Sequence, residues 1–291
     1  MTVSIVEFPV GEDGAAPYGI TAGPDGALWF TLVHGAVGRM STGGEYVTYP
    51  LDPPSGQPTV ITEGPDGALW FTESKGHRVG RISVDGTVSS VDVGESGPYG
   101  ITAGPDGAVW FTEMNAGRIG RLEPGGALTA FPLPVEGAYP AAITTGPDGA
   151  LWFCLNQANA IGRCTTDGEI TVHTLPTGAA APVGIASGAD AVWFVEIGAG
   201  QVGRITPEGE ITEFPLPDRS ARPHAIVADP RGGFWFTEWG GNRIGHVDES
   251  GRFEHHALPR GSAEPHGITI GSDGAVWAAL EIGSLVRLER C

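Results

Sequence analysis

Residues 98 to 122 read PYGITAGPDGAVWFTEMNAGRIGRL, and variants of this phrase recur along the chain. Its tryptophan marks the period. Trp29, Trp70, Trp110, Trp152, Trp193, Trp235 and Trp277 stand at intervals of 41, 40, 42, 41, 42 and 42 residues, which makes seven copies. Each copy opens with Pro-x-small-Ile (Pro98 to Ile101 here), the start of a short apolar run that reads as a strand. A turn follows, spelled G-P-D-G at Gly23, Gly64, Gly104 and Gly146 and degraded later; Pro presets one central dihedral and Gly supplies a positive φ. A second strand of the type ALWFTE comes next. A third resembles GRIGRI, ending at Arg39, Arg81, Arg121, Arg163, Arg204, His246 and Arg287, and a fourth resembles ITEFPLP (Ile211 to Pro217).

Four short strands per unit of about 40 residues is the pattern of a β-propeller blade. No segment reads as a helix. The expected fold is all-β: one seven-bladed β-propeller domain over residues 1–291, built of four-stranded antiparallel blades. The last copy ends at Cys291, directly after its third strand LVRLER, whereas VSIVEFPV at Val3 to Val10 matches the outer strands of the other copies. The N-terminal strand, residues 3–10, is therefore expected to complete the seventh blade and leave no open edge.

Composition narrows the function. Forty-seven Gly and 24 Pro in 291 residues border on low complexity, but eight Trp, eleven Phe and 41% hydrophobic residues supply enough apolar area to offset the entropy of ordering, so the Gly and Pro serve turns. A net charge of −18 repels phosphate, which makes nucleic acid and anionic membranes poor partners. No run approaches the roughly 20 apolar residues of a spanning helix. MTVSIVEFPV lacks the basic start and apolar core of a signal peptide. Cys154, Cys164 and Cys291 show no C-x-x-C spacing, which suits a reducing compartment. A cytoplasmic, monomeric protein is expected.

In a repeat, structure is shared and chemistry is asymmetric. The second residue of Pro-x-small-Ile, expected at one rim of the central channel, reads Tyr18, Thr59, Tyr99, Ala141, Val183, His224 and His266. Two histidines thus fall in adjacent blades. The residue before Pro is a carboxylate only at Glu264, two residues from His266 and expected on the same strand face. Glu73, Glu113, Glu196 and Glu238 follow their Trp by three residues, whereas the seventh copy reads W-A-A-L-E and places Glu281 four after Trp277, as if the hairpin were re-aimed. The recurring glutamates read as repeat architecture, paired with backbone or a neighbouring Arg. His34, His77, His255 and His256 read as surface residues, and His173 and His246 as scaffold substitutions for an aromatic and an Arg.

Glu264 and Glu281 without a thiolate suit a hard cation such as Mg²⁺, which takes one or two carboxylates and keeps positions for water and substrate oxygens. A histidine beside them suits proton transfer. Together they fit proton abstraction next to a carbonyl or, equally, activation of water; the residues do not separate elimination from hydrolysis.

The repeated GPDGALWFTE and GRIGRI, with ARPHAI at Ala221 to Ile226, WFTEW at Trp235 to Trp239 and SAEPHGI at Ser262 to Ile268, resemble the virginiamycin B lyase (streptogramin B lyase) family over essentially the whole chain. The resemblance implies a seven-bladed propeller that linearises type B streptogramins, small cyclic depsipeptide antibiotics, by Mg²⁺-dependent elimination at the ester bond, and so confers resistance. It places the catalytic histidine on His266, the metal-binding carboxylates on Glu264 and Glu281, and a substrate-contacting histidine on His224. Where the family has an aromatic after the last Trp, this chain has Ala278. The implied reaction removes the α-proton of the ester-forming threonyl residue and leaves a dehydrobutyrine and a free carboxylate. Tyr18, Tyr99 and Trp239 are expected as aromatic walls for the substrate. Two other readings compete: a metal-dependent lactonase or esterase on the same fold, and a non-catalytic propeller that presents its rim to a peptide.

Overall fold

The computed structural model describes residues 3–11 and 15–290, so Cys291 lies outside the described residues. Twenty-eight strands form seven four-stranded antiparallel sheets. Six sheets are made of consecutive strands, as in blade three with Pro98–Ala103, Val109–Glu113, Arg118–Leu122 and Leu128–Pro132. Blade seven combines Pro265–Ile270, Val276–Leu280 and Ser284–Arg290 with Val3–Pro9, which pairs antiparallel from Val3 opposite Arg290 to Pro9 opposite Ser284. The expected closure holds, one residue short: Val10 leaves the strand, is fully buried, and donates its N–H to the Gly283 carbonyl at 3.0 Å. Each inner strand packs against the next, and that of blade seven packs against that of blade one, which closes the ring. A single 3-10 turn, Pro54–Gly56, interrupts the strands of the described residues. No described helix is long and apolar enough to cross a membrane.

The repeated letters form a Trp–Asp lock in six blades; in blade five Asp190 pairs only with Arg204. In blade three the buried Trp110 donates its indole N–H to Asp106 of the turn at 3.0 Å, and the other carboxylate oxygen takes Arg121 Nε at 2.6 Å. The Arg121 guanidinium lies 5.9 Å over the Trp110 ring, and Phe131 of the outer strand stacks on it at 5.4 Å. Partial burial opposes the charge on Asp106, but the indole and guanidinium bonds outweigh it and hold the carboxyl below its ordinary range.

Departures are compensated. His173 replaces the outer aromatic and stacks on Trp152 at 5.8 Å. His246 replaces the Arg of blade six, and Arg290 from blade seven supplies the missing cation, 4.5 Å over Trp235 and 3.1 Å from Asp229. The recurring glutamates are architectural as expected: Glu73, Glu113 and Glu238 are buried against Arg78, Arg118 and Arg243, each at 2.6 Å. In blade five Gln201 stands in for the Arg, 2.7 Å from Glu196.

Three surface expectations are corrected. His34 is exposed, but His77 Nδ1 accepts the Gly97 N–H at 3.3 Å, His255 Nδ1 lies 2.5 Å from Glu238, and His256 packs on Trp235 at 5.6 Å. In blade six the outer strand is half-buried on both faces from Phe253 to His256, so its histidines turn to their own blade rather than to solvent.

Backbone proximity explains the small residue of Pro-x-small-Ile. A Cβ on Gly267 would lie 2.6 Å from the Tyr18 carbonyl oxygen, and one on Gly184 would lie 2.4 Å from that of His224. Inner strands touch main chain to main chain, which brings the side chains of adjacent rim positions together.

Candidate functional site

The rim is built from two positions per blade that share a hydrogen bond. The residue before each Pro is left-handed: Ala16, Gln57, Gly97, Tyr139, Ala181, Arg222 and Glu264 have φ between 48° and 62°. Its carbonyl accepts the N–H of the first residue after the second strand, as in Ala16 with Val33 at 3.2 Å, Arg222 with Trp239 at 3.0 Å and Glu264 with Glu281 at 3.1 Å. Blade seven alone fills both positions with carboxylates. The left-handed backbone of Glu264 is thus a property of the repeat.

Two expectations change here. Glu281 occupies the same hydrogen-bonding position as Trp239 of blade six, so the hairpin is not re-aimed; Leu280 fills the strand end as Leu32 and Leu155 do in blades one and four, where the other four blades have Glu, and the loop is one residue shorter than in blades two to six. Glu264 and His266 do not share a face by alternation either. The strand starts at Pro265, after the left-handed residue, and its ladder is irregular between Pro265 and Ile268. That irregularity recurs at every inner strand, so it too belongs to the repeat.

His266 Nε2 lies 2.6 Å from Glu281 Oε2. A carboxylate only accepts, which assigns the proton to Nε2 and a lone pair to Nδ1, a buried atom without a protein partner. His266 is 8% exposed, whereas the Glu281 side chain is 38% exposed, so Nε2 is the ring edge facing the rim. The Tyr18 ring stacks on His266 at 4.4 Å, the His224 ring stands perpendicular to it at 4.7 Å, and the Tyr18 and Tyr99 hydroxyls share a 2.7 Å hydrogen bond. Burial pushes the His266 pKa down to about 4. Burial and then the neighbouring His266 push His224 down to about 3, so both imidazoles are neutral at pH 7. Burial and the Tyr99 contact raise Tyr18 well above its ordinary value.

Sequence-predicted residues thus converge in blades six, seven and one, with Tyr99 reached through Tyr18. Trp239 sits beside them under the Arg222 guanidinium, 5.5 Å from its ring centre, a pairing not anticipated from the sequence. Thr237 is a second such residue: buried, it accepts the Ala225 N–H at 2.9 Å and donates to the His266 carbonyl at 2.8 Å. Its only signal was the recurring Thr of W-F-T.

A channel cavity of about 270 Å³ runs along the inner strands and is walled in part by Tyr18, Tyr99 and His224. His266, Glu264 and Glu281 are not among its walls. Among the described residues no three His, Cys, Asp or Glu side chains form a ready metal cage. The donor set fits a hard cation held by the part-exposed Glu264 and Glu281, with water and substrate oxygens completing the shell.

Fold and site together define a seven-bladed propeller whose rim sets the Glu281 carboxylate against His266, with His224 edge-on to that ring and Glu264 bonded to Glu281 through the backbone. The family model of the virginiamycin B lyases matches residues 3–288, and the chain belongs to that family. A virginiamycin B lyase of Saccharopolyspora erythraea is 59% identical over 49 residues, a stretch that spans only 16% of each chain. The crystal structure of selenomethionine-substituted virginiamycin B lyase from Staphylococcus aureus superposes with a TM-score of 0.95 at 41% identity, covering 100% of both chains. A catalytically inactive histidine-to-alanine form of the staphylococcal enzyme, solved with quinupristin, superposes with a TM-score of 0.95 at 40% identity over 100% of both chains.

Proposed function

We propose that this protein is a Mg²⁺-dependent carbon–oxygen lyase that linearises type B streptogramins. The single observation that carries the reading is the contact of His266 Nε2 with Glu281, whose backbone is bonded to Glu264, at an open rim. In the reaction the Cα–H bond of the ester-forming threonyl residue breaks, its electrons form the Cα=Cβ bond, and the Cβ–O bond releases the ester carboxylate. No water is consumed, so product and substrate are isomers. To take the Cα proton at Nε2, His266 would carry its own proton on Nδ1, the tautomer available once Glu281 turns from Nε2 to the cation; the abstracted proton would then pass from Nε2 to the departing carboxylate. Glu264 and Glu281 would hold the cation, which as a Lewis acid stabilises negative charge developing on the neighbouring carbonyl oxygen. Tyr18 stacks on His266 and fixes its plane; His224 and Trp239 border the same rim and contact substrate. The staphylococcal relative with quinupristin, inactive when a histidine is replaced, supports a cyclic depsipeptide substrate and a histidine in the chemistry.

The buried thiols of Cys154 and Cys164, with pKa values raised by burial, fit a reducing cytoplasm, where the reaction would confer resistance. Seven blades completed by one chain support action as a monomer. The test is ring opening of a type B streptogramin before and after EDTA, with Mg²⁺ added back. Loss and recovery of activity are expected; activity indifferent to the chelator would contradict the metal role.

A further inference from the structure

We propose that Thr237 is a positioning residue for this reaction, a single hydroxyl that ties together the backbones of His224 and His266; this rests on the reading of His266 given above. Thr237 lies in the second strand of blade six, Phe234–Glu238, and is fully buried. Its Oγ1 accepts the N–H of Ala225, the peptide that follows His224, at 2.9 Å. Its O–H donates to the carbonyl of His266 in blade seven at 2.8 Å. One atom therefore fixes one peptide group beside each histidine, and the two rings meet edge to face at 4.7 Å.

The repeat shows what this bond does elsewhere. Thr31 joins the Gly19 N–H (2.9 Å) to the Thr59 carbonyl (2.5 Å), and Thr112 joins the Gly100 N–H (2.8 Å) to the Ala141 carbonyl (2.7 Å). It is a seam between neighbouring blades. The seam weakens in blade four, where Cys154 reaches the Gly184 carbonyl only at 3.6 Å, and Val195 and Ala279 carry no hydroxyl in blades five and seven. Because Ala279 leaves the seam between blades seven and one without this tether, His266 is held by a side-chain hydroxyl on the blade-six side alone. On the other side it meets Tyr18 by ring stacking. The bulge between Pro265 and Ile268 takes His266 out of the regular ladder of its own blade, so its carbonyl bond to Thr237 sets where Nε2 stands against Glu281.

Thr237→Val is the discriminating variant, because Val195 already occupies the equivalent place in blade five and the fold accepts it. Thr112→Val removes the same two bonds at a seam without a histidine and serves as the control. For Thr237→Val, kcat is expected to fall about ten- to a hundred-fold with KM within about two-fold, the scale on which a misplaced reacting group slows a reaction. Thr237→Ser, which keeps the hydroxyl, should restore kcat to within about three-fold of the parent. Thr112→Val should lose comparable thermal stability and keep kcat. An equal loss of kcat in both valine variants, or none in Thr237→Val, would overturn the proposal. A second readout needs no substrate: the imidazole ¹H–¹⁵N signals of His224 and His266 should move in Thr237→Val and stay in Thr112→Val. Unmoved signals would overturn the positioning role even if the enzyme acts on streptogramins. Displaced signals in a protein that opens none would uphold the positioning role and discard the substrate reading.

Discussion

At His266 two influences compete. Burial disfavours the imidazolium, while Glu281 at 2.6 Å favours an N–H directed at the rim. The result is a neutral ring whose proton points outward. His266→Ala is expected to lower kcat by about 10²- to 10⁴-fold, the usual contribution of a positioned acid or base, with an unchanged thermal midpoint; retained turnover would remove it from the chemistry. Glu264→Gln and Glu281→Gln should each weaken Mg²⁺ binding measured by calorimetry, whereas Glu113→Gln, a buried carboxylate paired with the part-exposed Arg118, should weaken stability and leave binding intact. At this scale the exceptions to the repeat were legible. His224, His266 and Glu264 stood out because their blade-equivalents are chemically different. Thr237 did not, because it follows the repeat's rule, and its distinct role comes from its neighbours across a blade seam.

Within a blade, composition changes in matched pairs. In six blades a Phe of the second strand covers a Gly of the third, so that a Cβ on Gly245 would lie 2.2 Å from the Phe236 ring. Blade seven instead sets Ala278 opposite Val286, both fully buried. Ala278, where the other six blades have Phe, is therefore a core residue whose lost volume is returned across the strand pair. Ala278→Phe alone should cost about 1–3 kcal/mol by overpacking, and adding Val286→Gly should recover most of it in a denaturant double-mutant cycle. Additive losses would reject the pairing.

Blade five makes the opposite departure. Glu196 faces Gln201 instead of an Arg, and burial, then the charge of Glu213, push its pKa up to about 8 from an ordinary 4.5. Between those values the folded chain holds a proton that the unfolded chain has lost, so this group's contribution falls as pH rises through the window. Glu196→Gln should gain thermal stability relative to the parent from pH 5 to pH 8. A difference that does not change with pH would refute the shift.

Over the whole molecule, the Trp period and the absent fourth strand of the last copy were sufficient to read the ring and its closure, because both follow from the chain needing to bury its sheet edges. Contacts that cross blades were not legible. Arg290 completes the lock of blade six from blade seven, and Thr237 of blade six reaches the His266 carbonyl of blade seven, because neighbouring sheets approach at distances that a linear repeat does not encode. Removing residues 2–9 should expose the edge of Ser284–Arg290, lower the melting temperature by roughly 10 °C or more, and promote association seen by size-exclusion chromatography. A truncated chain that melts with the parent would show that closure contributes little.

The central claim, elimination at a rim built from His266, Glu264 and Glu281, is tested most directly by the intact mass of a type B streptogramin after reaction with the protein. A linear product with the mass of the cyclic substrate, carrying a dehydrobutyrine, is the predicted result; a product heavier by one water would contradict it.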